Sequence, residues 1–537
     1  MSRTFFLILL FYHGLQNLPA QQMSVLYQKN SGSLYPARFT SFKGFSYFAA
    51  NTENDRELWR TDGTSEGTNL FKDLTVGSSG NPMFFIERDD VLYFFSGLDM
   101  ATDVWLWKTD GTINGTVPVK FIGNKVWLIG PPVIVSNMIY FASGDNNRSL
   151  DLWRSDGSES GTVAFTKIAN EGVVLNTTPF FATTGGVLYF PGYSAEFGTE
   201  LWSSNGTSEG TKMVKDIYPG TESSYPDFLI EVNNVLHFSA SSPSGSDIWR
   251  TNGTENGTSK AIKEGQGGIQ RRCLFTIGSK LFLQSVTNGS CLLGATDTSG
   301  VVITLKEIGK TNGRQMIHQI TEYHGLLFFE FRDFDGGTEL WKSDGTEDGT
   351  IKISEFSSTG IPRLICKFMI LDDKLYFMVL DYEVKSELWQ TDGTAEGTFI
   401  VSTGPYIHEG YTWFNNEYDI SSIKSYIIFS GYSSDFVAEL WRAETKPEII
   451  SEVQEMELNT VGIQCYPNPV NNELSIHFNA HDEIKTVKIY DILGRLITDI
   501  SDMKSDLSLN TSQYNSGYYF VVAVGATANY CSKFFKK

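Results

Sequence analysis

Apolar runs of four to seven residues, each bounded by Gly, Asn, Asp or Ser, recur along most of the chain. Val91-Leu-Tyr-Phe-Phe95, Val187-Leu-Tyr-Phe190 and Lys374-Leu-Tyr-Phe-Met378 are one type; Asn69-Leu-Phe-Lys-Asp-Leu74 and Lys212-Met-Val-Lys-Asp-Ile217 are another. Runs of this length, rich in aromatic and β-branched residues and closed by turn formers, predict short strands. A third type sets two large apolar residues side by side, as in Leu58-Trp59. Neighbours in a strand point to opposite faces, so both faces of these sheets are expected to be buried.

The third run opens a phrase, Glu57-Leu-Trp-Arg-Thr-Asp-Gly-Thr-Ser-Glu-Gly-Thr68, that returns down the chain. Its tryptophans are Trp59, Trp107, Trp153, Trp202, Trp249, Trp341 and Trp389, in steps of 48, 46, 49, 47, 92 and 48. The double step holds a decayed copy, Cys291-Leu-Leu-Gly-Ala-Thr-Asp-Thr-Ser-Gly300, and Glu439-Leu-Trp-Arg442, with Trp441, closes the series. The count is nine units of about 48 residues, each with four strands. Small sheets covered on both sides and repeated at this period predict an all-β fold, a β-propeller of eight or nine four-stranded blades; a solenoid of sheets is the runner-up. Met23-Ser-Val-Leu-Tyr-Gln28 with Gly32-Ser-Leu-Tyr-Pro36 reads like the last strand and exit of a unit, so the N-terminal segment is expected to supply an outer strand to the final blade.

In each intact copy an Asp or Asn follows Trp by three residues, and a second Gly comes five residues later: Asp62, Asp110, Asp156, Asn205, Asn252, Asp344 and Asp392. A Ca²⁺ site would want several carboxylates and a bidentate Glu, whereas exchange of Asp for Asn suits a turn whose side chain bonds its own backbone. Neither metal nor cofactor is expected. The repeat tryptophans are read as core wedges between blades. The densest aromatic cluster off the repeat, with Tyr406, Tyr411, Trp413 and Tyr418, is the candidate ligand platform, able to stack on sugar rings; a strand of the last blade plus its loop explains the same letters.

Composition narrows the partners. A net charge of −20 argues against nucleic acid and anionic membrane surfaces, and 41% hydrophobic with 14% aromatic residues supplies a large core. Arg3, the apolar Phe5-Phe-Leu-Ile-Leu-Leu-Phe11 and Leu18-Pro-Ala20 read as an export signal over 1–20, too short for an anchor, with no transmembrane helix expected in the mature protein. The five cysteines fit no metal motif; Cys465 and Cys531 would be able to pair if the first and last strands of the final region are neighbours.

After about residue 453 the period breaks. The repeat region is taken as 21–453, a polar linker as 454–462 and a separate small β-sandwich as 463–537. That last region resembles the type A C-terminal sorting domain of type IX secretion cargo. The resemblance is carried by Tyr466-Pro467-Asn468-Pro469, by Tyr490, Asp491, Gly494 and Arg495 within Ile489-Tyr-Asp-Ile-Leu-Gly-Arg495, by Gly517 within Ser516-Gly-Tyr-Tyr-Phe520, and by the basic end Lys536-Lys537. It implies a Bacteroidota cargo handled by the type IX machinery, with the domain usually removed and the protein released or joined to surface lipopolysaccharide. Residues 34–442 resemble the ELWxxDGT repeat family, a resemblance that brings no activity.

Two function classes follow: a non-catalytic secreted or cell-surface propeller that binds a glycan or protein, and a glycosidase or lyase using the propeller as scaffold. The seven histidines are scattered, and no Walker or His-Glu-x-x-His pattern is present. Binding is the favoured reading, since carboxylates that recur with the repeat do not make the unique set an active site needs.

Overall fold

The structure, a computed structural model, describes residues 21–29, 32–97, 103–145, 149–169, 181–261, 270–287, 289–296, 302–310, 317–332, 337–356, 363–381, 386–404, 420–424, 426–432, 437–445, 458–459, 463–478, 484–491, 496–501, 507–514, 517–525 and 529–537. They fall into two compact units, one within 22–445 and one from residue 446 onward.

In the larger unit each repeat folds as an antiparallel meander. The first blade comprises Ala37–Phe42, Phe45–Asn51, Arg56–Thr61 and Asn69–Lys72. The others follow at 83–124, 126–169, 182–215, 227–260, 270–310, 317–355, 363–403 and 420–444. Hydrogen bonding groups these strands into eight sheets, but the nine-stranded one is two blades joined at Ala169 and Tyr193, so the described residues form nine blades.

The alternation of large side chains explains how the blades stack. Leu58 packs toward the second blade, in a cluster with Tyr47, Leu92, Phe94 and Trp107. Its neighbour Trp59 points the other way, into a cluster with Phe48, Ile428 and Leu440. The same pairing recurs at further junctions: Tyr93 and Leu106 meet Phe141, Tyr140 and Leu152 meet Phe190, and Phe328 and Leu340 meet Phe377. Because Trp59 of the first blade packs on the ninth, the array closes into a ring and is not an open solenoid. The closure is also polar, with the Ser41 hydroxyl donating to the Ser422 carbonyl at 2.9 Å and Arg442 Nη1 to the Gly63 carbonyl at 3.0 Å.

The N-terminal segment fastens this seam. Ser24–Tyr27 adds an antiparallel strand to Ala438–Glu444, with Ser24 opposite Arg442 and Val25 opposite Trp441. Met23 N–H donates to the Thr403 carbonyl at 2.7 Å, and its side chain is buried between the eighth and ninth blades. Leu26, 4% exposed, enters the cluster between the ninth blade and the first.

The smaller unit has two layers around one core. A five-stranded sheet orders Leu458–Asn459, Asn529–Lys536, Gly517–Gly525, Ile484–Asp491 and Leu496–Ser501; a three-stranded sheet orders Ile463–Tyr466, Glu473–Phe478 and Leu507–Asn510. Ile463, Leu474 and Ile476 of one layer meet Val487, Val521 and Phe534 of the other. The pairing of Leu458–Asn459 with Asn529–Tyr530 is parallel, so part of the expected 454–462 linker belongs to the sheet.

If the N-terminal strand locks the seam, Leu26→Ala lowers unfolding free energy by about 2–5 kcal/mol, read as a shift in urea midpoint. Val76→Ala, at a side chain 95% exposed, leaves it in place. Equal midpoints for the two variants would mean that the strand does not hold the ring.

Candidate functional site

The Asp-Gly-Thr loops are the most repeated polar feature, and their geometry is internal. Asp62 Oδ1 accepts from the Thr64 N–H at 2.9 Å and the Thr64 hydroxyl at 2.7 Å. Thr64 Oγ1 in turn accepts from the Gly67 N–H at 3.0 Å, and the Thr68 hydroxyl donates to the Thr64 carbonyl at 2.6 Å. Asp110, Asp156, Asp344 and Asp392 make the same side-chain bond, and Asn205 and Asn252 make it with an amide oxygen. The loop therefore needs an oxygen acceptor and not a charge. The second glycine is obligatory, because a Cβ on Gly67 would lie 1.9 Å from Asp62 Oδ1. Hydrogen bonds from Thr64, Thr112, Ser158 and Thr346 hold the carboxyls of Asp62, Asp110, Asp156 and Asp344 below the ordinary range. Among the described residues, no group of three His, Cys, Asp or Glu side chains is placed to hold a metal.

Five of the seven loops are gripped in one way by the blade before them, while the Gly345 loop is held by Lys280 and a serine, Ser203, follows Trp202 ahead of the Gly253 loop. The cation that follows Trp donates to the first glycine carbonyl of the next loop: Arg60 to Gly111 at 3.2 Å, Lys108 to Gly157 at 3.2 Å, Arg154 to Gly206 at 3.0 Å and Lys342 to Gly393 at 2.6 Å. Arg442 repeats the contact across the seam to Gly63. The preceding blade's tyrosine lies under the same glycine, so that a Cβ on Gly206, at φ +85°, would meet Tyr140 Oη at 2.3 Å. The sequence showed the cation beside Trp, but only the neighbouring blade reveals what it touches.

A second feature escaped the sequence reading: the glutamate that opens the phrase. Glu57 is 1% exposed and accepts from the N–H groups of Leu74 and Gly80, both at 2.7 Å. Glu200, fully buried, accepts from the N–H groups of Ile217, Tyr218 and Ser224 and from the Ser224 hydroxyl. Each carboxyl organises the loop that carries the chain to the next blade. Elsewhere the same position turns to its own tryptophan, as Glu339 does to Trp341 Nε1 at 2.8 Å and Glu387 to Trp389 Nε1 at 2.9 Å. Trp107 and Trp153 find serine hydroxyls instead, Ser96 and Ser143. Trp59, Trp107, Trp249 and Trp341 are less than 9% exposed; Trp153, Trp202, Trp389 and Trp441 pack partly buried at junctions.

Burial pushes the Glu57 and Glu200 carboxyls up to about 7, against the bonds they accept. A folded-state value above the unfolded one means that the fold binds the proton more tightly. This contribution is fully present below the unfolded value, near 4.5, and is lost as pH rises through about 7.

The four candidate ligand-platform aromatics, Tyr406, Tyr411, Trp413 and Tyr418, lie outside the described residues. So do Gly494 and Arg495 of the sorting motif. Its other members are placed. Asn468 bridges to the last strand, donating to the Lys533 carbonyl at 3.1 Å and accepting from the Phe535 N–H at 2.9 Å. Pro467 and Pro469 are exposed beside it, and Tyr466 is 68% exposed. Tyr490 and Asp491 pair with Phe520 and Tyr519, and Gly517 pairs with Lys536. Lys536 is 7% exposed, its ammonium donating to the Lys537 carbonyl at 2.7 Å, so half of the basic end is built into the domain. The strand carrying Cys465 packs against 529–536, yet Cys465 is in no disulfide; burial raises its thiol pKa beside Ser532. Cys465 is thus a free thiol, although the strands are neighbours as the conditional pairing with Cys531 required.

Residues 464–537 match the family described as "Secretion system C-terminal sorting domain". The smaller unit is thus a sorting domain of the type IX secretion system, and the chain is an export cargo. No curated protein matches the chain. Among solved structures, it overlaps a mutant puromycin hydrolase complexed with PGG (12% identity, TM-score 0.35, 72% of this chain and 64% of that one). It also overlaps Saccharomyces cerevisiae Sqt1 (12%, 0.37, 80% and 100%) and a putative 6-phosphogluconolactonase from Bacteroides fragilis (14%, 0.32, 59% and 98%). The chain thus spans less than two thirds of the hydrolase's length, and overlaps this loose carry no argument about activity.

Two outcomes are expected from the site chemistry. Asp62→Asn leaves the urea midpoint unchanged, while Asp62→Ala lowers stability by about 1 kcal/mol through the orphaned loop donors; loss with Asn equal to loss with Ala would show that the charge is needed. The thermal midpoint of the wild type rises as pH falls from 8 to 5.5, and Glu57→Gln with Glu200→Gln flattens that rise. A parallel slope in the double variant would remove these two groups as its source.

Proposed function

We propose that this protein is a secreted or cell-surface recognition module. Its propeller, of the ELWxxDGT repeat kind, binds a glycan or protein ligand in adhesion or recognition, on the surface of a Bacteroidota cell or beyond it. An N-terminal signal over 1–20 carries it across the inner membrane. The sorting domain hands it to the type IX machinery, after which it is released or joined to surface lipopolysaccharide. The domains run as signal 1–20, propeller 21–453, linker 454–462, of which 458–459 joins the C-terminal sheet, and sorting domain 463–537.

One observation carries the binding reading over catalysis: the charged groups of the repeat are engaged in holding blades together. The loop Asp residues accept from their own loops, the cations donate to the next blade, and Glu57 and Glu200 anchor the connecting loops. A repeat so occupied offers a rigid frame with variable loops, a common setting for recognition. The fold alone does not choose, since propellers host both binding and catalysis.

Deleting 463–537 is expected to leave the protein in the periplasm, measured by fractionation; undiminished appearance outside the cell would sink the export route. Incubating the purified full chain with polysaccharides and cell envelopes is expected to retain ligand of unchanged mass. Shortened ligand would instead establish a polysaccharide-cleaving enzyme on the propeller scaffold.

A further inference from the structure

Blade two breaks the repeat at one position. Where the repeat Trp is kept, the residue two before it is Glu or Asp in seven copies, among them Glu57, Asp151, Glu200 and Glu339; only in blade two is it aromatic, Trp105. The outer strands differ as well. In blade one Glu57 holds back the connecting loop, and the outer strand stops after four residues, Asn69–Lys72. In blade two the outer strand runs for eight residues, Val117–Asn124, which places Phe121 opposite Trp105 and Asn124 opposite Asp103. Residues directly opposite share a face, and Asp103 and Trp105 are two apart on their own strand. All four side chains therefore lie on one face at the rim of the blade.

Direct contacts join them in pairs. The Trp105 and Phe121 rings are 5.2 Å apart and inclined at 55°, and Asn124 Nδ2 donates to Asp103 Oδ1 at 2.7 Å. Trp105 is half-buried and packs against the cluster between blades one and two, which fixes its position. Phe121 is 41% exposed, and Asp103 and Asn124 are exposed beside it. The frame closes elsewhere without such a set. Blade three, whose outer strand is also long, fills the two positions of Trp105 and Phe121 with Asp151 and Lys167, and blade six fills them with Leu292 and Glu307. An ion pair or one aliphatic side chain is thus enough for closure, and the aromatic pair of blade two is additional to it.

We infer that Asp103, Trp105, Phe121 and Asn124 form a seat for one sugar residue of a neutral glycan on the rim of blade two. The inference rests on the binding reading above and gives it a place and a ligand class. An aromatic ring presents a flat apolar surface that matches the C–H face of a pyranose. The bond between Asn124 and Asp103 uses one amide hydrogen and one carboxylate oxygen. The second amide hydrogen, the Asn124 side-chain carbonyl and Asp103 Oδ2 are left to pair with adjacent hydroxyls of the sugar. Because that bond already fixes both side chains, little freedom is lost when a sugar lands. A carboxylate in the seat and a net charge of −20 disfavour uronic acids and sulfated sugars. A protein hot spot would be ringed by contacts that exclude water, whereas this ring pair has an exposed Asp and Asn at its side.

The test probes an array of neutral, uronic-acid and sulfated oligosaccharides with the full chain, followed by dissociation constants for the bound glycans and a thermal midpoint for every variant. The wild type is expected to bind at least one neutral glycan and to be displaced from it by the free monosaccharide. Phe121→Ser and Asp103→Ala each weaken that binding about tenfold, and Trp105→Glu, which restores the residue common to the other copies, abolishes it. Ile303→Ser, at an apolar side chain 39% exposed on the outer strand of blade six, leaves it unchanged. Phe121→Ser melts with the wild type; a lower midpoint with the glycan still bound as tightly would make the aromatic pair structural and overturn the inference. It is also overturned if the Phe121 and Asp103 variants bind as the wild type does, or if only acidic glycans bind, and in both cases the binding reading stands at another surface. Capture of an envelope protein that free sugars do not displace, with no glycan bound, overturns the inference and leaves the binding reading with a protein ligand. Retention of neither glycan nor envelope component overturns both.

Discussion

Every other feature of the propeller depends on one contact: the burial of each blade's apolar face against its neighbour. A single four-stranded sheet with Leu58 on one face and Trp59 on the other cannot shield both, and only a blade on each side can. That demand is local and identical at each junction, so it dictates repetition. It also leaves the terminal blades with an unshielded face, which closure into a ring removes. The seam between blades nine and one therefore carries the same cluster of aromatic and aliphatic side chains as the others, with the N-terminal strand laid over it.

The polar chemistry follows from this stacking. Once two blades are pressed together, the Asp-Gly-Thr loop of one comes within reach of the cation and tyrosine of the other. A glycine carbonyl is an acceptor that any Lys or Arg can meet, which is why Lys108 and Lys342 serve as well as Arg60, Arg154 and Arg442. The buried glutamates work along the other connection, replacing with one carboxylate the hydrogen-bond partners that the loops 73–80 and 216–224 would otherwise lack. Charges that look in the sequence like a supply of catalytic groups are thereby turned into structure.

Export is carried by a separate unit with its own core. Its motif residues divide between those that build the domain and those that face outward. Asn468 ties the Tyr-Pro-Asn-Pro segment to the last strand, and Lys536 is folded in, while Tyr466 and the two prolines are displayed. The conspicuous letters of the motif are in part folding letters.

The sequence by itself determined the repeat, its strands, its turn chemistry and the sorting domain, because each rests on interactions within a few residues. A turn such as Asp62 to Thr68 closes on itself, and alternation such as Leu58-Trp59 needs no partner to be read. The number of blades, the closure of the ring, the targets of Arg60 and Glu57 and the state of Cys465 were decided only in three dimensions. Each depends on which segment becomes the neighbour, and residues as distant in the chain as Trp59 and Leu440 meet only once the ring has closed. The left-handed backbone at Tyr35 and Tyr225 was equally hidden: a tyrosine before a proline does not announce its φ, and only the loop's anchoring to the adjoining strands imposes it.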